Sequence, residues 1–296
     1  MTGLPGNPRS NSIQDLLGWG IARLNQAEVK DSRISSERIL CKLLNVQRHF
    51  LILENSKTID SKIADEFKNS IEKRARRIPL QYIIGETEFY GLPFKSDLRA
   101  LIPRPETEIL VDLVIKKLIA DHNFKLLDIG TGSGIIAVVL ARHIPGLKIV
   151  ATDISPEALQ LAAENARLNS VSQNIEFVKA DFNDINEMRA LGKFNCVVSN
   201  PPYVSVHEKS ILDPEVYNFE PAIALFSGDD TLASYKAIIK TLPYILSDNG
   251  MFAFEMGSGQ YLEILKLFDS NFADLDITKD LAGIERVISG IFRPGK

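Results

Sequence analysis

Apolar residues in the first quarter of the chain recur at the spacing of helices. One such run follows Ser12 and comprises Ile13, Leu16, Leu17, Ile21 and Leu24, which share one helical face. Asp60 or Ser61 can cap a longer helix, which Pro79 would end. Together these runs predict a small helical domain over residues 12–78.

The pattern changes after this helical region. Aromatic and β-branched residues gather around Gly85 and Gly91, which is typical of a β-hairpin. We therefore assign residues 79–104 to a β-hairpin linker. The proline-containing segment Pro103–Glu106 then marks the start of a helix that is predicted to end at about Ala120.

Strands and helices alternate in the remaining residues, 105–296. Short apolar runs predict strands at Lys125–Ile129, Lys148–Thr152, Ile175–Lys179, Asn195–Ser199, Met251–Glu255, Phe272–Ile277 and Arg286–Phe292. Helical patterns lie between several of them, at Ser133–His143, Ser155–Asn169 and Gly259–Phe268. Because such alternation is typical of right-handed βαβ units, we predict an α/β domain with a mainly parallel sheet.

Composition narrows the class of protein. The 296 residues are 45% hydrophobic and 24% charged, which is ordinary for a globular chain. A net charge of −4 argues against non-specific coating of nucleic acid. The two cysteines indicate no disulfide framework, and the four histidines show no ligand spacing, so we expect no metal. No apolar leader or span is evident, which predicts a cytoplasmic protein that does not enter membranes.

The stretch Val197–Tyr203 carries the strongest candidate chemistry. Two β-branched residues precede Asn200, and the following Pro201 and Pro202 must end the strand there. This carboxyl edge is where ligands bind in open α/β sheets. A planar primary amide or amine can donate one N–H to the Asn200 side-chain oxygen and the other to a prolyl carbonyl. Tyr203 can lie against the flat face of that group, although the same motif can also be only a rigid turn.

Such a clamp suits the alkylation of an amide nitrogen, which is otherwise a poor nucleophile. Holding both protons orients the nitrogen toward an incoming methyl group and stabilises the positive charge that develops on it. The proton becomes acidic only as the methyl group arrives, so no strong general base is needed.

Glycine and acidic residues follow the first three strands of the α/β domain. The first loop comprises Asp128, Ile129, Gly130, Thr131, Gly132, Ser133 and Gly134. Its glycines permit a tight turn close to a ligand, and Asp128 can bind an ammonium group. Asp153 can accept bonds from ribose hydroxyls, and Asp181 from an adenine amine beside the apolar wall of Phe182. Each acid alone can be a cap or turn former. Together they describe S-adenosylmethionine, with its methyl group toward Asn200.

With these residues in place, the chain resembles the protein-(glutamine-N5) methyltransferases that modify peptide chain release factors. The likeness covers nearly the whole chain. Asp128–Gly134 is similar to the family's methyl-donor loop, Asp153 to its ribose carboxylate and Phe182 to the aromatic residue beside adenine. Asn200–Tyr203 matches the amide clamp. The flanking segments that resemble the release-factor branch are Arg76–Gly85, Ile102–Glu108, Asp213–Val216, Phe219–Pro221 and Ala282–Val287.

The resemblance implies a Rossmann-like class I S-adenosylmethionine-dependent domain with a mainly parallel seven-stranded sheet. It implies methyl transfer to the glutamine side-chain amide of the Gly-Gly-Gln motif of release factors. Asn200, Pro201, Pro202 and Tyr203 would be the catalytic and substrate-binding residues, with Glu220 also on the substrate, and Asn200 would touch the cofactor as well. The helical domain would be a second docking surface. We expect a monomer that binds neither nucleic acid nor membranes directly.

Other functions share parts of this pattern. Asn-Pro-Pro-Tyr also occurs in adenine-N6 DNA methyltransferases and in ribosomal-protein glutamine methyltransferases, so the motif alone does not select the substrate. A non-catalytic adaptor is a further alternative, against which the intact donor loop and clamp argue. A nicotinamide dehydrogenase is the weakest, because G-x-G-x-G differs from the dinucleotide spacing.

Two local features lie outside this scheme. The basic run Lys73–Arg77 is interpreted as a solvated helix end that the helix dipole favours, rather than as a docking patch. Gly228–Asp230 departs from the Gly-x-Asp-Gly that is usual in the family, and it includes no residue assigned to the chemistry.

Overall fold

The computed structural model describes residues 7–118 and 124–295, which form two compact units. The helical unit contains the chain up to Glu86 together with Asp213–Phe219. The α/β unit contains Thr87–Leu212 and the chain from Glu220 onward. The segment Asp213–Phe219 therefore belongs to the helical unit, although its neighbours in sequence belong to the other one.

Regular elements follow one another closely in the described residues. The helices are α1 (Ile13–Gln26), α2 (Ser32–Leu44), α3 (Arg48–Leu53), α4 (Ser61–Ala75), α5 (Leu80–Ile84), α6 (Thr107–Leu118), α7 (Ile135–His143), α8 (Pro156–Leu168), α9 (Ile185–Ala190), α10 (Pro214–Phe219), α11 (Ala222–Leu225), α12 (Ala233–Ile245) and α13 (Tyr261–Leu265). The strands are β1 (Glu86–Phe89), β2 (Leu92–Lys95), β3 (Lys125–Ile129), β4 (Lys148–Asp153), β5 (Ile175–Lys179), β6 (Phe194–Ser199), β7 (Leu246–Glu255), β8 (Phe272–Lys279) and β9 (Glu285–Phe292).

The helical unit forms around the apolar stripes that the sequence indicates. The Ser12 hydroxyl caps α1 by accepting from the backbone N–H of Asp15, and the Asp60 carboxylate caps α4 by accepting from that of Lys62. Residues fully withdrawn from solvent come from α1, α2 and α4, and they include Ile13, Leu16, Leu24, Ile39, Leu40, Phe67 and Ile71. Burial of these side chains is the main source of stability for helices of this length.

The basic run Lys73–Arg77 at the end of α4 was interpreted as solvated, and the burial of Arg74 contradicts that interpretation. The Arg74 side chain is only 6% exposed, and it donates to Asp31 at 3.2 Å and to Glu215 at 3.0 Å. Arg77 also pairs with Glu215, at 3.0 Å. A guanidinium removed from water needs such partners, so the run fixes α10 within the helical unit.

The α/β unit is built on a seven-stranded sheet with the order β5-β4-β3-β6-β7-β9-β8. Neighbours from β5 to β7 are parallel, whereas β9 is antiparallel to both β7 and β8. Apolar clusters cover both faces of the sheet. Helices α6, α7 and α8 pack on one face, and α9, α12 and α13 on the other. The predicted α/β class with a mainly parallel seven-stranded sheet is confirmed.

Several predicted bounds were wrong, for local reasons. Leu80–Ile84, which the hairpin interpretation included, is a short helix between Pro79 and the left-handed Gly85, and the hairpin itself is confined to β1 and β2. The predicted helix Gly259–Phe268 shortens to α13, because Gly259 has a φ of 79° that an α-helix does not accommodate. The predicted end of α6 near Ala120 lies outside the described residues.

Candidate active site

One cleft of the α/β unit collects residues that follow four neighbouring strands, β5, β4, β3 and β6. Parallel strands bring their carboxyl ends to one edge of the sheet, where ligands bind in open α/β folds. Together with its open mouth, the cleft comprises about 1040 Å³ of space that no protein atom fills. The sequence-predicted site residues that line it are Gly130, Thr131, Gly132, Ser133, Asp153, Asp181, Phe182, Asn200 and Pro202.

Asp128 is fully buried and does not line the cleft. Its Oδ2 accepts a hydrogen bond of 2.6 Å from the Thr131 hydroxyl, whereas its Oδ1 has no partner among the described residues. Burial raises the pKa of Asp128 to about 7, and the bond from Thr131 opposes that rise. A buried oxygen without a partner is costly unless a ligand or a water satisfies it. Asp128 can therefore serve a cation in the cleft through Thr131 or through a bridging water.

Asp153 holds the glycine turn in place. Its Oδ2 accepts from the backbone N–H of Gly132 at 2.9 Å, and its Oδ1 accepts from that of Ser155 at 2.9 Å. Burial raises the pKa of Asp153, and these backbone bonds oppose the rise. Since a carboxylate oxygen has a second lone pair, Asp153 can also accept from ribose hydroxyls.

Asp181 and Phe182 border the cleft after β5. Asp181 Oδ1 accepts two bonds of 2.8 Å from Asn183, one from its backbone and one from its side-chain amide. Phe182 is half-buried and packs against the apolar cluster of α9 and α12. Asp181 is thus a turn former and, at the same position, a candidate acceptor for an adenine amine.

Gly134 serves packing, and it does not line the cleft. Its φ is 83°, and a Cβ there would lie 2.9 Å from the Ala162 Cβ. Such a distance is shorter than real Cβ contacts, so only glycine lets the start of α7 approach α8 this closely.

The four clamp residues separate into two that border the cleft and two that do not. Asn200 and Pro202 line it, and the Asn200 Nδ2 donates to the Thr107 Oγ1 at 3.2 Å. Pro201 is buried, and Tyr203 packs with the apolar residues of β6 and β7. Burial raises the pKa of Tyr203 to about 12, so its hydroxyl stays protonated.

Glu220 supports the cleft wall without lining it. Its side chain is 1% exposed and binds Arg104 at 2.7 Å. It also accepts from the backbone N–H of Ile102 at 3.1 Å. Ile102 and Arg104 do line the cleft, so Glu220 fixes a segment that faces the ligand.

Two residues of the site escaped the sequence analysis. Thr107 is fully buried, lines the cleft as the first residue of α6 and accepts from Asn200. Glu255, the last residue of β7, is 2% exposed. The sequence could have indicated Glu255, because it is a polar residue at the end of an apolar strand. Asn200 was found by the same reasoning.

The described residues provide no evidence for a metal site or a membrane span. No group of three or more His, Cys, Asp or Glu side chains in residues 7–118 and 124–295 is placed to hold a metal ion. In the same part of the chain, no helix has both the length and the apolar character to cross a membrane.

Solved structures and family models define the class of protein. The hMettl16 catalytic domain in complex with MAT2A 3'UTR hairpin 1 superposes with a TM-score of 0.53 and 16% identity over 86% of this chain and 93% of that one. The complex with hairpin 6 gives a TM-score of 0.53 and 17% identity over 80% and 83%. A model of the methyltransferase small domain matches residues 106–214. The chain therefore has the fold of class I S-adenosylmethionine-dependent methyltransferases.

Curated relatives define the family within that class. A release factor glutamine methyltransferase of Chlorobaculum tepidum is 35% identical over 94% of this chain and 96% of its own length. One of Flavobacterium psychrophilum is 42% identical over 73% and 76%. The PrmC N-terminal domain model matches residues 15–85. The chain belongs to the release factor glutamine methyltransferase family, which confirms the resemblance in its sequence.

The cleft residues fit S-adenosylmethionine, the methyl donor of this class. Asp153 offers a fixed carboxylate and Phe182 an apolar wall, and Asp128, behind the cleft, offers a buried oxygen that has no partner among the described residues. Gly130 and Gly132, with φ values of 69° and 56°, keep side chains out of the turn that borders the cleft. These groups match the ammonium, ribose and adenine parts of that molecule.

Proposed function

We propose that this protein transfers a methyl group to the side-chain amide nitrogen of the glutamine in the Gly-Gly-Gln motif of peptide chain release factors. The observation that carries the proposal is that Asn200 and Pro202 line the same cleft as the donor residues Gly130–Ser133 and Asp153. Donor and acceptor groups can therefore meet without a change of fold. The relatives are named for this activity.

The protein's own residues orient the acceptor amide. The Asn200 side-chain oxygen accepts one amide N–H, and a carbonyl of Pro201 or Pro202 accepts the other. Two such bonds hold the nitrogen in one plane, which lowers the entropic part of the barrier. They also stabilise the positive charge that forms on that nitrogen. Tyr203 is protonated and packs against the apolar cluster of the sheet, so it does not act as a base.

S-adenosylmethionine supplies an electrophilic methyl group when it is bound. A new C–N bond forms at the amide, the donor's C–S bond breaks, and one amide proton leaves to solvent. That proton becomes acidic only as the bond forms, so the clamp needs acceptors rather than a strong base. Asp153 is the family's candidate ribose acceptor and is engaged with Gly132 and Ser155.

The charges at the cleft favour a protein substrate over nucleic acid. The two arginines that line it are both paired. Arg99 binds Asp97 and Glu164 at 2.8 and 2.9 Å, and Arg104 binds Glu220. The carboxylates beside these guanidinium groups offset their positive charge, which weakens the attraction of the cleft for phosphates. The likeness to an RNA-bound methyltransferase therefore concerns the fold.

The helical unit is proposed as a second docking surface for the release factor. It exposes large apolar side chains, with Ile34, Ile52 and Leu53 being 54%, 65% and 76% accessible. Exposed residues of this size mark interaction surfaces when they lie together. The chain itself is proposed to act as a monomer.

The proposed function is tested by incubating the purified protein with a release factor and isotope-labelled donor. Mass spectrometry should locate one added methyl group on the Gly-Gly-Gln glutamine. A release factor with that glutamine replaced by glutamate should stay unmodified, because its carboxylate lacks the N–H groups. Label that appears instead in duplex DNA, with none in the release factor, would overturn the proposal.

A further inference from the structure

Glu255 is a buried carboxyl group that the proposed reaction does not use directly. It ends β7, the parallel neighbour of the strand that ends at Ser199, one residue before Asn200. Only 2% of the residue is exposed, and its Oε2 has no hydrogen-bond partner in the described part of the chain. A carboxyl group in such a place costs free energy, so its presence calls for a role that an apolar residue would not fill.

Thr107 connects this carboxyl group with the clamp. Its buried Oγ1 accepts from the Asn200 Nδ2 at 3.2 Å. A threonine hydroxyl that accepts still has its own proton to donate. The Thr107 hydroxyl lies close enough to Glu255 to lower the pKa of that carboxyl, and the Asn200 side chain does so to a smaller extent. The polar groups therefore run in one direction, from the Asn200 amide through the Thr107 hydroxyl to the Glu255 carboxylate.

This direction decides which end of the Asn200 side chain faces the ligand. When the Asn200 Nδ2 points toward Thr107 and Glu255, its N–H groups meet the hydroxyl oxygen and the carboxylate, which are hydrogen-bond acceptors. A flipped side chain would place Oδ1 against a carboxylate, where two acceptors repel, and it would turn Nδ2 toward the cleft. A substrate amide also presents donors there, so the flipped side chain would repel it.

We propose that Thr107 and Glu255 are positioning residues that hold the Asn200 amide with its nitrogen inward and its oxygen toward the substrate. The proposal rests on the proposed function for its consequence in catalysis. It rests only on the contacts of Asn200, Thr107 and Glu255 for the orientation itself.

The charges around Glu255 make this orientation dependent on pH. Burial, with a smaller contribution from Glu106, raises the pKa of Glu255 to about 7, while Thr107, Arg286 and Asn200 oppose the rise. The phenol groups of Tyr203 and Tyr235 also face it, both protonated. Below that pKa the carboxyl group becomes neutral and gains a proton to donate, so it no longer requires a donor from the clamp.

The orientation is tested without any turnover by NMR of protein labelled with 15N at asparagine. The Asn200 side-chain signals are identified by their loss in Asn200→Asp. In the wild-type protein the chemical shifts of these signals should change between pH 5.5 and 8.0. The midpoint of that change should equal the midpoint at which the carboxyl carbon signal of Glu255 titrates, and Glu255→Gln should abolish the change. Asn200 signals that ignore the ionisation of Glu255 would overturn the role of the carboxyl group.

A second test separates positioning from mere stability. Thr107→Val should lower kcat about 10- to 100-fold with little change in the affinity for S-adenosylhomocysteine, because a misplaced group slows the chemistry. Thr107→Ser should restore most of kcat. Thr241→Val is the matched control, since the hydroxyl of this buried threonine donates within its own helix, to the Ile238 carbonyl.

These outcomes distinguish the two proposals. If Thr107→Val matches Thr241→Val in both kcat and the Asn200 amide signals, the positioning role is wrong. If the wild-type protein methylates no release factor while the Asn200 signals still respond to Glu255 and Thr107, the proposed function fails and the positioning role stands.

Discussion

The cleft has two sides that are assembled in different ways. The donor side comprises the loop after β3 and Asp153, and the amide side comprises Asn200 and the residues that contact it. On the donor side, Asp128 binds Thr131 three residues later, and Asp153 binds Gly132 and Ser155, so these contacts all lie within the single βαβ unit of β3, α7 and β4 and the residues that directly follow it. On the amide side, Asn200 is bound by Thr107, which lies 93 residues away in the chain. Local contacts form with the strand–turn–helix itself, whereas distant ones require the complete sheet. The donor side is therefore a property of a short segment, and the amide side is a property of the fold.

The two sides also differ in what their buried acids do. Burial raises the pKa of both Asp128 and Glu255 to about 7, and each has one oxygen without a hydrogen-bond partner in the part of the chain that the structure describes. Asp128 lies beside the turn that is proposed to hold the cationic donor, and that donor would satisfy its free oxygen. Glu255 does not line the cleft, and Thr107 and Asn200, which do, are the polar side chains that lower its pKa. Substitutions on the two sides should accordingly affect different measurements.

The largest effect is expected at the clamp. Asn200→Ala removes the side-chain acceptor and should lower kcat at least about 100-fold, the scale seen when one preorganised transition-state contact is lost. The affinity for S-adenosylhomocysteine, measured by calorimetry, should change less than about threefold, because the donor contacts remain. Equal activity in the two proteins would refute the clamp.

A smaller effect on binding is expected on the donor side. Asp153→Ala removes a charged acceptor and the bonds that fix Gly132, so affinity for S-adenosylhomocysteine should fall about 10- to 100-fold. At saturating donor, kcat should fall less than it does in Asn200→Ala. Calorimetry and initial rates check both statements. An Asp153 variant with unchanged donor affinity would remove this residue from the cofactor site.

Stability should depend on Gly134 because of close packing. Gly134→Ala should lower the free energy of unfolding, measured in urea, by about 2–3 kcal/mol, because of the positive φ and the close approach to Ala162 together. Gly192→Ala is the control, because its φ is also positive, at 87°, but no atom lies within 4 Å of the new Cβ. That variant should cost only about 1 kcal/mol. Equal losses would mean that the φ alone requires glycine at Gly134.

The smallest effect is expected in the pH dependence of stability. A carboxyl group whose pKa is higher in the folded state than in the unfolded state stabilises the fold at low pH, and this contribution is lost as the pH rises through the folded pKa. For Glu255 the loss falls between about pH 4.5 and 7, the ordinary and the folded pKa, and it amounts to at most about 1.4 kcal/mol for each pH unit. Glu255→Gln should remove this part of the decline in the free energy of unfolding with rising pH, and Asp128→Asn should remove a similar part. Parallel unfolding curves for wild type and Glu255→Gln across this range would contradict the raised pKa.

The sequence predicted the fold and the donor side well, for physical reasons. Strand β3 was assigned with its observed bounds, because buried parallel strands are short, largely apolar runs. The loop after β3 and Asp153 follow strand ends directly, so their shared edge could be inferred from topology alone. Short helices such as α3, α10 and α11 were not found, because four to six residues are too few to show a periodic pattern.

The supports of the clamp could not be predicted in the same way. Thr107 lies in a segment whose resemblance to the family was noted, but its role depends on contact with Asn200. Glu220 was expected on the substrate, and the structure shows it buried against Ile102 and Arg104. The burial of Arg74 was also missed, because its partner Glu215 is 141 residues away. Each of these cases is a contact between distant segments, which a local pattern does not encode.

The ion pairs of Glu215 constrain how this architecture can be recombined. A shortened chain that began at Thr87 would still contain Asp213–Phe219 but would lack Arg74 and Arg77, the cations that neutralise Glu215. Grafting a foreign helical domain onto the catalytic portion would create the same mismatch. Replacement of the N-terminal part of the helical unit therefore requires replacement of Asp213–Phe219 as well, so the two stretches have to be exchanged together.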